Sequence, residues 1–457
     1  MRLFRWRLTP SSSGQTPAGF ACLRLPLMSN VRRQKNTRAY TVTMFSSTPK
    51  PEDVFTPRSA EVNLDMYVAR PELERALQNA LRGNLHMLIH GDSGTGKSWL
   101  YKKTFSELSV SYIVANLANA SRLGSITAEL KNLVDRLGKP TKVGFEEEKS
   151  AEVSAVVATG SLSYRGDYEL GQKEPFERAL EALRSKAGRN PAVLVFDNLE
   201  AAFTEPMLKE LADLLILCDD ERYAGYKVKI LVVGVPSGVK EYYYKTPHHA
   251  TVANRLQELP EVSRLLRGET DELVRKGFEY KLKYAVYNLQ ELQRHIAWIS
   301  DRVPQMVHEY CLELAFLAEK AQSVTAQTVE EADSAWLSKS QSHAYSVVEY
   351  HMNERDTKAG RRNQTLWALS RCEGDQFKST ETETALRREF PTSTHETALN
   401  PAQILAALAT GDRPIVRRSP KGDAFTFADP RYRMVLRAML IKTSDERIER
   451  VSLTRRN

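Results

Sequence analysis

Between residues 66 and 240 the chain alternates short apolar runs with longer stretches that carry apolar residues at helical spacing. Two of the runs, Ala192–Phe196 and Val228–Val233, are rich in β-branched residues and lie between helices, which is typical of parallel strands buried on both faces. The predicted strands are Leu85–His90, Tyr112–Ala115, Ala192–Phe196 and Val228–Val233. The predicted helices are Glu72–Leu81, Ser98–Leu108 and Ile126–Leu137. This alternation predicts an α/β fold, a parallel sheet between helices, with ligands at the carboxyl ends of the strands.

The pattern changes after about Leu265, where strand signals stop and helical spacing continues. The helices predicted there are Thr270–Gly277, Leu289–Ile299, Gln305–Lys320 and Val329–Ser338, and Gly277 is expected to cap the first of them. The last hundred residues predict helices at Gln364–Cys372, at Glu381–Phe390 and from Pro401, with Asn400 as the cap of the third. Two strands, Ile415–Arg418 and Ala424–Phe427, follow. Three helices and then a hairpin are the outline of a winged helix.

We therefore expect several segments of different character. They are a disordered basic leader (1–52), an α/β core (53–265) with an insertion (138–175), a helical lid (266–340), a linker helix (341–360), a winged helix (361–445) and a tail (446–457). The insertion interrupts the rhythm with an acidic cluster and then a stretch rich in Val, Ala, Ser and Gly, and its sequence indicates no role.

The positive charge of the chain is concentrated at its start. Residues 1–51 hold nine Arg and Lys and no Asp or Glu, and the remainder holds 56 basic against 57 acidic residues, so global charge gives no argument for DNA binding. The leader has the composition of a mitochondrial transit peptide. We favour a cytoplasmic protein with a disordered leader; organellar import, or a working start at Met28 or Met44, is the alternative. No apolar stretch approaches the roughly 20 residues of a membrane-spanning helix, so we expect no membrane partner.

A complete phosphate-binding loop stands between the first predicted strand and its following helix. Its residues are Gly91, Asp92, Ser93, Gly94, Thr95, Gly96, Lys97 and Ser98. The glycines let successive N–H groups point at a phosphate, and the helix N-terminus adds positive potential. Lys97 is expected to neutralise the β- and γ-phosphates, and the Ser98 hydroxyl to bind Mg²⁺. The loop predicts an ATP site and an ATPase.

An acidic residue ends the strand Ala192–Phe196. Asp197 follows the strand directly, and Asn198, Leu199 and Glu200 come next. A carboxylate at the end of a buried strand beside a P-loop can hold Mg²⁺ through water, which is the Walker B role. An apolar run followed by Asp is common by itself, and the complete P-loop about 100 residues earlier gives it weight.

With these two motifs the chain resembles the AAA+ ATPases, in the branch shared by origin-recognition, transposition-helper and STAND signalling ATPases. The resemblance covers roughly residues 66–457, and only the P-loop is sharply specific. The segment Met66–Leu73, which includes Arg70, looks like the entry segment that packs on the adenine in that branch. The sequence Phe425–Tyr432 is similar to part of its C-terminal module.

The sequence departs from the branch where the catalytic carboxylate is usual. The residue after the Walker B acid is Asn198, whose amide cannot accept a proton. Glu200 lies two residues further on and is the candidate substitute, and without it we expect slow hydrolysis and a nucleotide-state switch.

The resemblance implies three further site residues. Ser237 falls at the first sensor, where a turn serine is an equal reading. Arg255 looks like the arginine finger that completes the ATP site of a neighbouring subunit, with Arg264 and Arg267 as rivals. Gln305 stands where the second sensor arginine is usual, and Arg302 is the nearby alternative.

Two functions share this fold. The first is a DNA-associated AAA+ ATPase that assembles as a homo-oligomer when ATP is bound and recruits a protein partner. Its expected DNA contact is the wing, with Arg413, Arg417, Arg418 and Lys421, because the third helix offers Gln403 alone among apolar residues. The second is a STAND-like switch, as in antiphage defence, that acts on a protein partner.

Overall fold

The computed structural model describes residues 49–137, 173–234, 250–352, 360–372, 374, 376–419 and 422–451. The leader up to residue 48, most of the predicted insertion, Ser237 and Lys421 lie outside these ranges. In the part of the chain that is described, no helix is long and apolar enough to cross a membrane.

A five-stranded parallel sheet forms the centre of the core. The strands are β1 (His86–His90), β2 (Ser111–Asn116), β3 (Ala192–Asp197), β4 (Val228–Gly234) and β5 (Leu256–Glu258), and their order in the sheet is β2-β3-β4-β1-β5. Among the residues that the structure describes, the helices up to residue 253 are Pro51–Val54, Pro71–Arg82, Lys97–Glu107, Leu117–Leu123, Ile126–Leu137, Pro175–Ala187, Glu205–Leu217, Glu221–Ala224 and Ala250–Ala253. The predicted α/β fold is confirmed, and β5 is an additional strand that the sequence did not predict.

The sheet is buried on both faces, which explains the continuous apolar runs. Alternate residues of β1, β3 and β4 enter two separate apolar clusters: Leu88, Leu194 and Val232 enter one, and their neighbours enter the other. Parallel strands covered by helices on both sides need this composition.

The lid consists of helices that begin where strand signals end. Its helices are Arg267–Arg275, Leu289–Ile299, Pro304–Ala318 and Ala326–Lys339, with a short parallel pair of strands, β6 (Ala285–Val286) and β7 (Ser323–Val324). The prediction that Gly277 caps the first helix is wrong, because the helix continues as a π-helix over Lys276–Leu282. A glycine is required there because the Phe55 ring occupies the space that a Cβ would need.

The C-terminal module follows the helix Ser342–His351. It contains the helices Arg361–Arg371, Ser379–Glu389, Pro401–Leu408 and Pro430–Met439, a sheet of β8 (Gln376–Phe377), β9 (Val416–Arg418) and β10 (Phe425–Phe427), and the hairpin β11 (Leu440–Lys442) and β12 (Ile448–Arg450). Its assignment as a winged helix stays a prediction. Asn400 precedes the third helix with φ +45° and makes no side-chain cap, contrary to the prediction.

One buried carboxylate joins the core, the lid and the C-terminal module. Asp301 lies between two lid helices and is 3% exposed. It accepts ion pairs from Arg264 of the core at 2.7 Å, and from Arg433 and Arg437 of the helix Pro430–Met439 at 3.2 and 2.8 Å. Met434, between these two arginines, is buried in the apolar cluster of the lid. The final helix is therefore fixed against the lid by charge and by packing.

Candidate functional site

The P-loop follows β1 and leads into the helix Lys97–Glu107, as the sequence predicts. Gly94 and Gly96 have φ angles of +80° and +92°, which glycine adopts without strain. The carbonyl of Val262 occupies the space of a side chain at Gly91. Thr95 closes the loop through its hydroxyl, which donates to the carbonyl of Asp92 at 2.8 Å.

Lys97 lies inside this loop. Its Nζ donates to the carbonyl oxygens of Gly91 and Asp92, each at 2.8 Å. Burial lowers the pKa of the Lys97 ammonium, and the carboxylates of Glu200, Asp197 and Asp92 oppose that effect. The lysine is therefore surrounded by the acidic residues that the sequence assigned to the same site.

Asp197 ends β3 next to the P-loop helix. Its Oδ2 accepts from the Ser98 hydroxyl at 3.1 Å and from the Tyr101 hydroxyl at 3.2 Å. One hydroxyl beside one carboxylate matches Mg²⁺, which is usually held by one or two carboxylates together with the oxygens of a substrate phosphate. The sequence prediction missed Tyr101, although its position three residues after Ser98 places both on one face of the helix.

The two residues after Asp197 that bear on catalysis have different environments. Asn198 has φ +64°, a left-handed conformation that asparagine tolerates, and its Nδ2 donates to Asn116 Oδ1 at 3.2 Å. Glu200 lies in the 3-10 turn Leu199–Ala202 and reaches back to the end of β4, where its Oε2 fills the space of a side chain at Gly234. Glu200 is the carboxylate that this turn directs to the carboxyl ends of the strands.

A cavity of about 740 Å³ opens over these residues, within the usual size for a bound cofactor. Four parts of the chain line it besides the P-loop: Thr56–Ser59, Asp197 with Asn198 and Glu200, Val303–Met306 with His308, and Ala428–Arg431 with Met434. Ser93, Gly94, Gly96, Lys97 and Ser98 form its floor. Core, lid and C-terminal module therefore all contribute to one site.

The segment around Thr56 is attached to the lid beside this cavity. The backbone N–H of Thr56 donates to His308 Nδ1 at 3.2 Å. Burial lowers the pKa of His308 to about 4, so the ring is neutral and its Nδ1 is an acceptor near neutral pH. The rings of Phe55 and Trp99 lie against His308, at centroid distances of 6.1 and 5.6 Å.

A smaller apolar pocket adjoins the cavity, and the two share Gly96, Trp99, Pro304 and His308. The predicted entry segment lines it through Met66, Tyr67, Val68 and Arg70. The Arg70 guanidinium donates to the carbonyl of Ser263 at 3.1 Å, which holds the segment against the core. An apolar slot next to a phosphate loop suits a purine base.

The arginines that the sequence assigns to the finger or to the second sensor do not line this cavity, and both roles stay predictions. Arg255 pairs with Asp219 at 2.5 Å, Arg267 pairs with Asp271 at 2.9 Å, and Arg264 is turned inward to Asp301. Arg302 does not line the cavity. Gln305 does, and its backbone N–H donates to the carbonyl of Gly94 at 3.1 Å.

Comparison with known proteins finds a family match within the core. Residues 80–242 match the AAA domain family. Solved structures similar to this chain include Cdc6p from Pyrobaculum aerophilum (14% identity, TM-score 0.40, covering 85% of this chain and 96% of that one). They also include a Walker-type ATPase of Pyrococcus abyssi (16%, 0.45, 81% and 96%) and the Aeropyrum pernix ORC2 protein in its ADP form (14%, 0.43, 85% and 96%). No curated protein sequence matches the chain.

Proposed function

We propose that the protein is an ATP-dependent assembly switch that acts on DNA and hydrolyses ATP slowly. The match of residues 80–242 to the AAA domain family supports the ATPase part of this proposal. The observation that supports this most strongly is the convergence of Lys97, Ser98, Asp197 and Glu200 in one cavity. Lys97 supplies a positive charge for the phosphates, Ser98 and Asp197 supply oxygen ligands for Mg²⁺, and Glu200 supplies a base.

The chemistry follows from the position of each group. The N–H groups of the P-loop and Lys97 would hold the phosphates, and Ser98 and Asp197 would hold Mg²⁺, which supplies charge neutralisation when bound. Glu200 would orient and deprotonate the attacking water, because the amide of Asn198 cannot accept a proton. A base two residues away from the usual position supports slow turnover.

The DNA-directed part rests on exposed arginines of the C-terminal module. Arg413, Arg417 and Arg418 are exposed on or beside β9, whereas the helix Pro401–Leu408 buries Leu405 and Leu408 and exposes Gln403 together with alanines. This arrangement suits contacts with phosphates and offers little to read bases, so binding should depend weakly on sequence.

Two measurements test the proposal. Lys97→Ala should abolish ATP binding measured by calorimetry, and unchanged affinity would refute the nucleotide assignment. The double variant Arg417→Ala/Arg418→Ala should weaken all duplexes about equally and flatten the slope of log affinity against log salt by about two units.

The matched control is Arg75→Ala/Arg82→Ala, which removes the same charge from exposed positions of the core. If the control and the test variant behave alike, or if the wild type binds no duplex at low salt, the DNA-directed part fails. A switch that acts on a protein partner then becomes the better explanation.

A further inference from the structure

The nucleotide cavity is lined on one side by a segment that comes more than 300 residues after the P-loop. Ala428–Arg431 and Met434, at the start of the helix Pro430–Met439, line the same cavity as Lys97. Two contacts hold this helix in place: Asp429 caps it by accepting from the N–H of Arg431 at 2.9 Å, and Met434 is fully buried. The C-terminal module is thus in a position to contact a bound nucleotide.

The cations of the cavity show which group could make that contact. Among its described lining residues, the side chains with a fixed positive charge are Lys97, Arg58 and Arg431, while the lid helix contributes the neutral Gln305. Arg58 is 73% exposed and lies 3.7 Å from Glu309. Arg431 is 40% exposed and is held by both oxygens of Asp429, through Nε at 3.1 and 3.0 Å and Nη2 at 2.6 Å.

We propose that Arg431 contacts the terminal phosphate of a bound nucleoside triphosphate and so provides, from the C-terminal module, the guanidinium that the lid helix lacks at Gln305. The proposal rests on the proposed function, since it presupposes ATP on the P-loop. The loop and Lys97 surround the β-phosphate, so the terminal phosphate is the group that remains open to the rest of the cavity. A guanidinium can exchange a carboxylate for a phosphate because both accept its paired N–H groups.

Asp429 gives the arrangement its regulatory character. With the guanidinium on Asp429 the two charges neutralise each other, and with the guanidinium on a phosphate the carboxylate loses its ion pair. Binding of the triphosphate therefore competes with the Asp429–Arg431 pair, whereas a diphosphate leaves the pair in place. The start of the final helix is in this way coupled to the length of the phosphate chain.

The test compares a non-hydrolysable ATP analogue with ADP, each with Mg²⁺, by calorimetry on the full chain. Arg431→Ala should weaken the analogue about ten-fold to a hundred-fold, the usual range for losing hydrogen bonds to a charged group, and change ADP affinity less than about two-fold. Arg431→Lys should restore part of the loss, because it keeps the charge without the paired donors. Arg447→Ala is the matched control, because Arg447 pairs with Asp445 in the same module but does not line the cavity, and it should leave the ratio of the two affinities unchanged.

Asp429→Asn keeps a side chain that can cap the helix and removes the competing charge. It should raise the preference for the analogue, and in the Arg431→Ala background that gain should disappear. An unchanged ratio in Arg431→Ala, or an Asp429→Asn gain that persists without Arg431, overturns the proposal. These outcomes differ from failure of the proposed function, in which the wild type binds neither nucleotide.

Discussion

Asp301 is the residue whose loss should separate the C-terminal module from the lid. We consider Asp301→Asn, because asparagine tolerates the φ of +51° at this position and the change therefore removes charge without adding backbone strain. Three guanidiniums, of Arg264, Arg433 and Arg437, would lose their shared carboxylate in an interior where their side chains are 13%, 1% and 8% exposed.

The expected loss of stability follows from the burial of these charged side chains. Removing one partner of a buried ion pair costs about 3–5 kcal/mol, because the buried cations lose the negative charge that balances them. The exposed pair of Arg267 and Asp271 provides the comparison, since side-chain exposures of 46% and 30% place it among surface ion pairs worth about 0.2–1 kcal/mol. Asp271→Asn is therefore the matched control.

Hydrogen exchange followed by mass spectrometry measures the effect where it is expected. A loss of 3–5 kcal/mol in the free energy of local opening should speed exchange in the helix Pro430–Met439 by roughly two to nearly four orders of magnitude. Amides of β3 should keep their protection, because the arginines that pair with Asp301 lie outside the strands of the sheet. Exchange in the final helix that rises less than ten-fold, as in the Asp271→Asn control, would refute the reasoning.

Three further expectations follow from the site. Glu200→Gln should retain ATP binding and lose most turnover, and a turnover that is fast and indifferent to this change would remove Glu200 as the base. If ATP drives assembly of a homo-oligomer through Arg255, a mixture of Arg255→Ala and Lys97→Ala chains should recover part of the turnover that each lacks alone; no recovery would argue against a finger donated between subunits. Because the pKa of His308 is lowered to about 4 in the folded chain, its neutral form contributes stability that is complete above the ordinary value of 6.5 and is lost as the pH falls from 6.5 towards 4. His308→Gln should therefore reduce the pH dependence of unfolding in that window by about one proton, relative to the wild type, and an unchanged slope would contradict the assignment.

The sequence predicted those parts of the fold that local chemistry determines. The strands β1, β3 and β4 were predicted to within one residue, because strands buried on both faces must be apolar throughout. The lid helix Leu289–Ile299 was predicted with its observed bounds, since its apolar residues repeat at helical spacing.

The missed features depend on partners distant in sequence. Gly277 was interpreted as a cap because nothing nearby indicates the Phe55 ring that excludes a side chain there. The ion pairs of Asp301 with Arg433 and Arg437 join residues more than 130 positions apart and leave no periodic signal. The final helix was not predicted, although Asp429 and Pro430 are a recognisable helix start.

The contact between Phe55 and the lid has a consequence for synthesis of the chain. Phe55 is fully buried, and its ring partner Phe278 lies about 220 residues downstream. At typical rates of translation, roughly 10–45 s would pass between the appearance of the two rings on the ribosome. During that interval the nascent chain exposes the Phe55 ring, which can associate with other apolar surfaces. This risk ends only when the lid has been synthesised and covers the ring.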